Sequence, residues 1–173
     1  MKKITILILS ILCTPILAAI YGAIHNQISY SISPDFYTKS MFPLFGFVEY
    51  GLDTPRLTAA IIGVWSTWWL GLIIGIIYGL AGLFKSNSIL MKSYIKNSIV
   101  ITFTMIIACG VLGLLFGKIY LTDIVINWGF SGTKEQLKNF AMVGYMHDFE
   151  YCGAILAIIV CLIYAFIPKK PTA

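Results

Sequence analysis

The chain contains two histidines, His25 and His147, and each lies where an apolar stretch of sequence meets a polar one. On a helix, His147, Glu150 and Tyr151 occupy positions i, i+3 and i+4, which share one face. Imidazole and carboxylate groups directed to one place suit iron, manganese, zinc or copper. We therefore predict a small polar site centred on the two histidines, with a transition metal as its candidate cofactor.

Two further carboxylates, Glu49 and Asp148, complete the set of candidate metal ligands. Two interpretations without a metal remain open: a hydrogen-bonded polar cluster that ties the helices together, and an acid–base or ligand-binding site. The sequence contains no H-E-x-x-H, G-x-S-x-G, P-loop or dinucleotide-binding glycine pattern. It therefore leaves open whether the protein is an enzyme.

The elements that position these residues are predicted to be membrane helices. The 173 residues are 59% hydrophobic and only 11% charged, whereas roughly 25% of the residues of a soluble domain are charged. Four apolar runs are each long enough to cross a bilayer. We predict a single all-α integral membrane domain, a bundle of four transmembrane helices with spans at about 4–24, 57–84, 97–116 and 145–167.

The first span could also be the apolar core of a cleaved signal peptide. Its length of about 20 residues matches a bilayer better than a secretory signal, whose core has roughly 7–15 residues. We therefore expect the first helix to be retained.

The distribution of positive charge predicts the orientation of the bundle. Four spans place both termini on one side, and seven lysines lie there against five lysine and arginine residues on the other side. This modest bias predicts cytoplasmic termini in a multi-pass protein of a bacterial inner membrane. All seven acids and both histidines fall on the opposite side. The lysines predicted to be cytoplasmic are Lys2, Lys3, Lys85, Lys92, Lys96, Lys169 and Lys170.

The polar regions 25–55 and 118–144 are rich in aromatic residues, which favours an ordered extracytoplasmic cap over flexible loops. Ser33, followed by a proline, is predicted to cap a helix start. Thr133 and Gln136 have the spacing of a capping box.

Glycines three or four residues apart predict close helix packing in the second and third spans. Such faces could also form a homodimer, or they could join the chain to a larger membrane complex as a non-enzymatic accessory subunit. The lysines form no basic face, so we expect a lipid bilayer and no nucleic acid as partner. Ion-coupled transport is disfavoured because the middles of the predicted spans lack ionisable residues. The glycines are Gly71, Gly75, Gly79, Gly110, Gly113 and Gly117.

Three motifs give the chain a family resemblance. The run His25-Asn26-Gln27-Ile28-Ser29-Tyr30-Ser31-Ile32-Ser33-Pro34-Asp35-Phe36-Tyr37, then Trp68-Trp69-Leu70-Gly71, then Met146-His147, resembles a family of small, uncharacterised bacterial four-span proteins. The segment Asp148-Phe149-Glu150-Tyr151 departs from that family, which is more neutral here. The resemblance implies the four-span architecture and supports the histidines, but it implies no activity.

Overall fold

The structure is a computed structural model that describes residues 2–48, 50–120 and 131–167. Within these ranges the chain is helical and contains no β-strand. All four long helices are long and apolar enough to cross a membrane. This confirms the predicted all-α class with four candidate membrane spans. They are α1 (Lys3–Ile32), α2 (Pro55–Leu83), α3 (Ser88–Tyr120) and α4 (Lys134–Phe166).

Each helix begins before its predicted span, ends after it, or both. Helix α1 continues for eight residues past position 24 because its polar side chains satisfy their hydrogen bonds without leaving the helix. Asn26 Nδ2 donates to the carbonyl oxygen of Ala59 in α2 at 2.9 Å. Ser29 Oγ donates back to the carbonyl oxygen of His25, one turn earlier. His25 therefore lies inside a helix and not at the beginning of a loop.

The predicted loop 85–96 is also mostly helical. Asn87 Oδ1 accepts a hydrogen bond from the backbone nitrogen of Leu90 and starts α3 almost ten residues before the predicted span. Helix α4 begins at Lys134 because Thr133 and Gln136 form the predicted capping box. The apolar runs thus locate the helices, and local hydrogen bonds determine where they end.

The helices pack in sequence order as two hairpins, α1 with α2 and α3 with α4. A Cβ atom added to Gly63 of α2 would overlap the carbonyl oxygen of Gly22 of α1. On the other hairpin, a Cβ atom on Gly113 would overlap the carbonyl oxygen of Tyr145. Thr67 adds a hydrogen bond across the first hairpin, to the carbonyl oxygen of Ala18 at 2.8 Å. The two hairpins contact each other more sparsely.

The tight packing predicted from the glycines therefore takes place within the chain. The predicted glycines of α2 face α1, and those of α3 face α4: they are Gly71, Gly75 and Gly79, and Gly110, Gly113 and Gly117. A homodimer stays a prediction, and it would need another surface because both glycine faces are covered.

Lysines stabilise the end of the bundle that holds the start of α1. Lys3 Nζ donates to the carbonyl oxygens of Leu83 and Lys85, where α2 ends. Lys85 Nζ donates to the carbonyl oxygen of Ala165 in the last turn of α4. Carbonyl groups at helix C-termini lack partners within the helix, and cations there also interact favourably with the helix dipole.

The connection between α1 and α2 is ordered at the other end. Ser33 Oγ accepts from the backbone nitrogen of Phe36, as predicted for an N-cap. Short helical turns then run through Leu44 and end at Gly46, whose φ of 78° favours glycine. The buried aromatic residues of the connection, Phe36, Tyr37 and Phe42, join a core cluster with Ala59, Ile62, Leu137, Phe140, Ala141 and Val143.

Candidate functional site

A cavity of about 80 Å³ lies between the two hairpins, and all four long helices contribute to its lining. Its two histidines and its acidic residue lie towards the end of the bundle that carries the α1–α2 connection. They are His25 of α1 and His147 and Glu150 of α4. The sparse contact between the hairpins therefore leaves a space into which the predicted site residues can project.

His25 is 9% exposed and is held by contacts from three directions. Its Nδ1 atom lies 3.2 Å from Oε1 of Glu150, an arrangement that favours a proton on Nδ1. The ring stacks on Tyr21 at 5.6 Å and meets the edge of the His147 ring at 4.8 Å. Its Nε2 atom is buried and has no hydrogen-bond partner.

Glu150 is the centre of the hydrogen-bonded group. Its Oε1 atom accepts from the hydroxyl of Tyr21 at 3.0 Å, in addition to its contact with His25. Gly110 of α3 makes room for this carboxylate, because a Cβ atom there would lie 2.5 Å from Oε1. The glycine that packs α3 against α4 thus also positions the acid.

His147 is held in a similar way. Its Nδ1 atom lies 2.8 Å from the carbonyl oxygen of Val143, one turn earlier, so the proton belongs on Nδ1. Its Nε2 atom lies 3.5 Å from Oδ1 of Asn26, too far for a strong hydrogen bond. Phe36 from the α1–α2 connection stacks on the ring at 5.1 Å.

The connection also covers the site with a neutral tyrosine. Tyr37 is fully buried, and its hydroxyl shares a hydrogen bond of 2.5 Å with the hydroxyl of Ser29. Burial raises the pKa of the Tyr37 phenol, so this group stays protonated at physiological pH. Tyr37 and Phe36 therefore shield the histidines without adding charge.

The polar atoms that remain without a strong partner at this site are acceptors. Each imidazole has its Nδ1 directed to an oxygen. This leaves Nε2 of His25 buried without a partner, and Nε2 of His147 with a long contact of 3.5 Å to Oδ1 of Asn26. Asn26 uses its amide nitrogen on Ala59, which leaves Oδ1 towards His147. Such a set is complementary to a group that brings positive charge or hydrogen-bond donors.

Three of the five predicted site residues, His25, His147 and Glu150, come together. Asp148 is exposed, one position along the helix from His147. It lines a second, open groove beside Tyr37, which shares Asn26 and His147 with the cavity. Glu49 lies outside the described residues. Within the ranges that the structure describes, no group of three or more His, Cys, Asp and Glu side chains could hold a metal ion.

Sequence reasoning did not assign Tyr21, Asn26 or Phe36 to the site. Tyr21 precedes His25 by four residues, so the helical spacing could have revealed it. Asn26 follows His25 directly, but its contacts with Ala59 and His147 depend on how three helices pack. No local pattern indicates that Phe36 stacks on a residue of α4.

We expect Tyr21→Phe to destabilise the chain by about 1–3 kcal/mol, because it removes a donor from a buried carboxylate. Gly110→Ala should displace that carboxylate, so Tyr21→Phe should cost less in the Gly110→Ala background. A double-mutant cycle of unfolding free energies in detergent measures this coupling. Additive effects would contradict the role of Gly110 in positioning Glu150.

The site lies deep in the bundle. Glu150 is sixteen residues before the end of α4 at Phe166, which corresponds to about 24 Å along the helix. A hydrocarbon core of roughly 30 Å that began at that end would place Glu150 towards its far boundary. No family model, curated protein or solved structure matches the chain, and its function is therefore inferred from the site itself.

Proposed function

We propose that the chain is a multi-pass protein of a bacterial inner membrane that binds a ligand beside His25 and His147, near the extracytoplasmic boundary. The lysine-rich end of the bundle would face the cytoplasm, in agreement with the bias in positive charge. The ordered α1–α2 connection would then form part of the extracytoplasmic cap, directly above the histidines.

One observation carries this proposal: both imidazoles direct Nδ1 to an oxygen and leave Nε2 without a strong partner. A buried polar atom without a partner costs free energy that a bound ligand can recover. His25 thus keeps an unsatisfied acceptor, and His147 a poorly satisfied one, at a place where a purely structural core would pair both nitrogens.

A transition metal is one ligand chemistry that this arrangement supports. Metal-binding histidines commonly donate their second ring nitrogen to a carboxylate or a backbone carbonyl. His25 does so towards Glu150, and His147 does so towards Val143. A metal would find two imidazole nitrogens here, and further ligands would have to come from solvent or from a bound molecule.

The test uses the full chain, purified in lipid nanodiscs without chelators. We expect near-stoichiometric metal by elemental analysis, or a bound small molecule by mass spectrometry. The species should be lost from both His25→Ala and His147→Ala. It should remain in Tyr164→Phe, which alters a hydrogen bond with Asn97 at the opposite end of the bundle.

Wild-type protein with neither a metal nor a small molecule would contradict the proposal, and so would a species that both histidine variants retain. The histidines would then be structural groups that tie α1 to α4. The protein would be better explained as an accessory subunit, and purification from native membrane should yield stoichiometric partner proteins.

A further inference from the structure

We infer that the ligand is a small primary amine. Its ammonium group would bind between Nε2 of His147 and Oδ1 of Asn26, and the rest of the molecule would lie in the open groove beside the α1–α2 connection. This inference rests on the proposed function, because it names the class of molecule that binds beside the histidines.

The contact between His147 and Asn26 brings two hydrogen-bond acceptors together. His147 has its Nδ1 proton on the carbonyl oxygen of Val143, so its Nε2 atom carries a lone pair. Asn26 is only 4% exposed, and its Nδ2 atom donates to the carbonyl oxygen of Ala59, so Oδ1 is the atom that faces His147. Two acceptors 3.5 Å apart cannot bond to each other. A group that donates to both of them would satisfy the pair.

A primary ammonium group can donate to both acceptors at once. Like the lysine side chain, it carries three N–H donors on a single atom. A hydroxyl group has one proton and would leave one of the two acceptors unpaired. Hydrogen bonds from a charged donor are also stronger than those between neutral groups. The pair formed by His147 and Asn26 therefore favours an amine over an alcohol.

The groove provides room for the body of such a molecule. It has a volume of about 460 Å³, which lies within the range of small-molecule sites and exceeds what a metal ion needs. Leu44, Phe45 and Tyr151 line the groove and are exposed, so it opens to the surface of the bundle. An amine in the groove can thus reach His147 and Asn26, which line the same space.

The charge of the groove matches a cation. Asp148 lines it and is exposed, and no lysine or arginine is among the described residues of its lining. Phe36 and Tyr37 also line it, and aromatic rings attract cations. A phosphatidylethanolamine head group is disfavoured, because its phosphate would find no basic partner there. The groove therefore suits a free amine better than a lipid head group.

The experiment measures the binding of 2-phenylethylamine to the full chain in phosphatidylcholine nanodiscs, which contain no primary amine of their own. Isothermal titration calorimetry gives the Kd, with empty nanodiscs as the blank. The trimethylammonium analogue keeps the ring and the positive charge but has no N–H donor. We expect the primary amine to bind about tenfold more tightly or better, because its hydrogen bonds to His147 and Asn26 are at stake. 2-Phenylethanol should also bind more weakly than the amine.

Two variants locate the ammonium group. His147→Phe keeps a ring beside Phe36 but removes Nε2, so it should reduce the preference for the primary amine to about threefold or less. Asp148→Asn should weaken the binding of both ammonium compounds by about threefold, since it removes one exposed charge. Glu135→Gln is the matched control, because Glu135 is an exposed acid on the same helix that does not line the groove. It should bind both compounds as the wild type does.

Three results would overturn the inference: no binding of 2-phenylethylamine to the wild type, equal affinity for the primary amine and its trimethylammonium analogue, or an unchanged preference in His147→Phe. The first result would leave a water molecule as the donor between the two acceptors. None of them alone decides the proposed function. A metal that depends on both histidines would uphold the proposed function while the amine is rejected. Absence of any bound species in the purification test, together with no binding of the amine, would reject both.

Discussion

Replacing Gly63 with alanine is expected to destabilise the protein by about 3 kcal/mol, because a methyl group cannot fit between α1 and α2. The atom that it would meet is the backbone carbonyl oxygen of Gly22, which no side-chain rotation can move. The helices would have to separate, and Thr67 would lose its hydrogen bond to the carbonyl oxygen of Ala18. Unfolding titrations in mixed detergent micelles measure the loss.

Gly82→Ala on the same helix is the matched control. Its new Cβ atom would lie 3.0 Å from Cγ of Met91, a side-chain contact that a shift of a few tenths of an ångström relieves. Alanine also favours a helix over glycine by roughly 1 kcal/mol in soluble systems. We expect little net change at Gly82, and equal effects at the two glycines would contradict backbone contact between α1 and α2.

Glu150→Leu is expected to cost about 3 kcal/mol and to abolish ligand binding. The variant leaves the hydroxyl of Tyr21 and Nδ1 of His25 buried without their acceptor, and each orphaned group costs about 1–3 kcal/mol. Glu150→Gln should cost less, because one amide oxygen can still accept from Tyr21. Unfolding free energies and ligand content, measured on the same preparations, test both effects.

Glu135→Leu provides the control for the loss of an acid from α4. Glu135 is exposed in the first turn of the helix, where its charge interacts favourably with the helix dipole. Its removal should cost about 0.5 kcal/mol and leave ligand content unchanged. If Glu150→Leu behaved like Glu135→Leu, the hydrogen-bonded group around Glu150 would contribute nothing to stability.

Much of the fold follows from the sequence because its signals are local. Four apolar runs identify the four helices, and the caps at Ser33 and Thr133 depend only on neighbouring residues. The ends of α1 and α3 were not predicted, since hydropathy marks where the chain is apolar and not where it is helical. Asn26 stays helical because its side chain bonds to another helix, and the sequence does not reveal that partner.

The site was predictable only in part, for the same reason. The spacing of His147 and Glu150 correctly predicted that both residues lie on one face of a helix. In the structure, however, the carboxylate of Glu150 pairs with His25. The contact between Glu150 and His25 depends on which faces of the two hairpins meet. It also depends on the space that Gly110 leaves for the carboxylate. Asp148 lies apart from this group, because adjacent residues on a helix point about 100° apart.

The pairing of helices in sequence order bears on how the chain enters the membrane. The backbone contacts of α1 with α2 join neighbouring segments, so they can form before α3 and α4 have been synthesised. The second hairpin can assemble in the same way. In this order of events, the two helical hairpins enter the membrane one after the other and then associate laterally. The pocket between the hairpins, and with it the contact of His25 with Glu150, arises only in that last step.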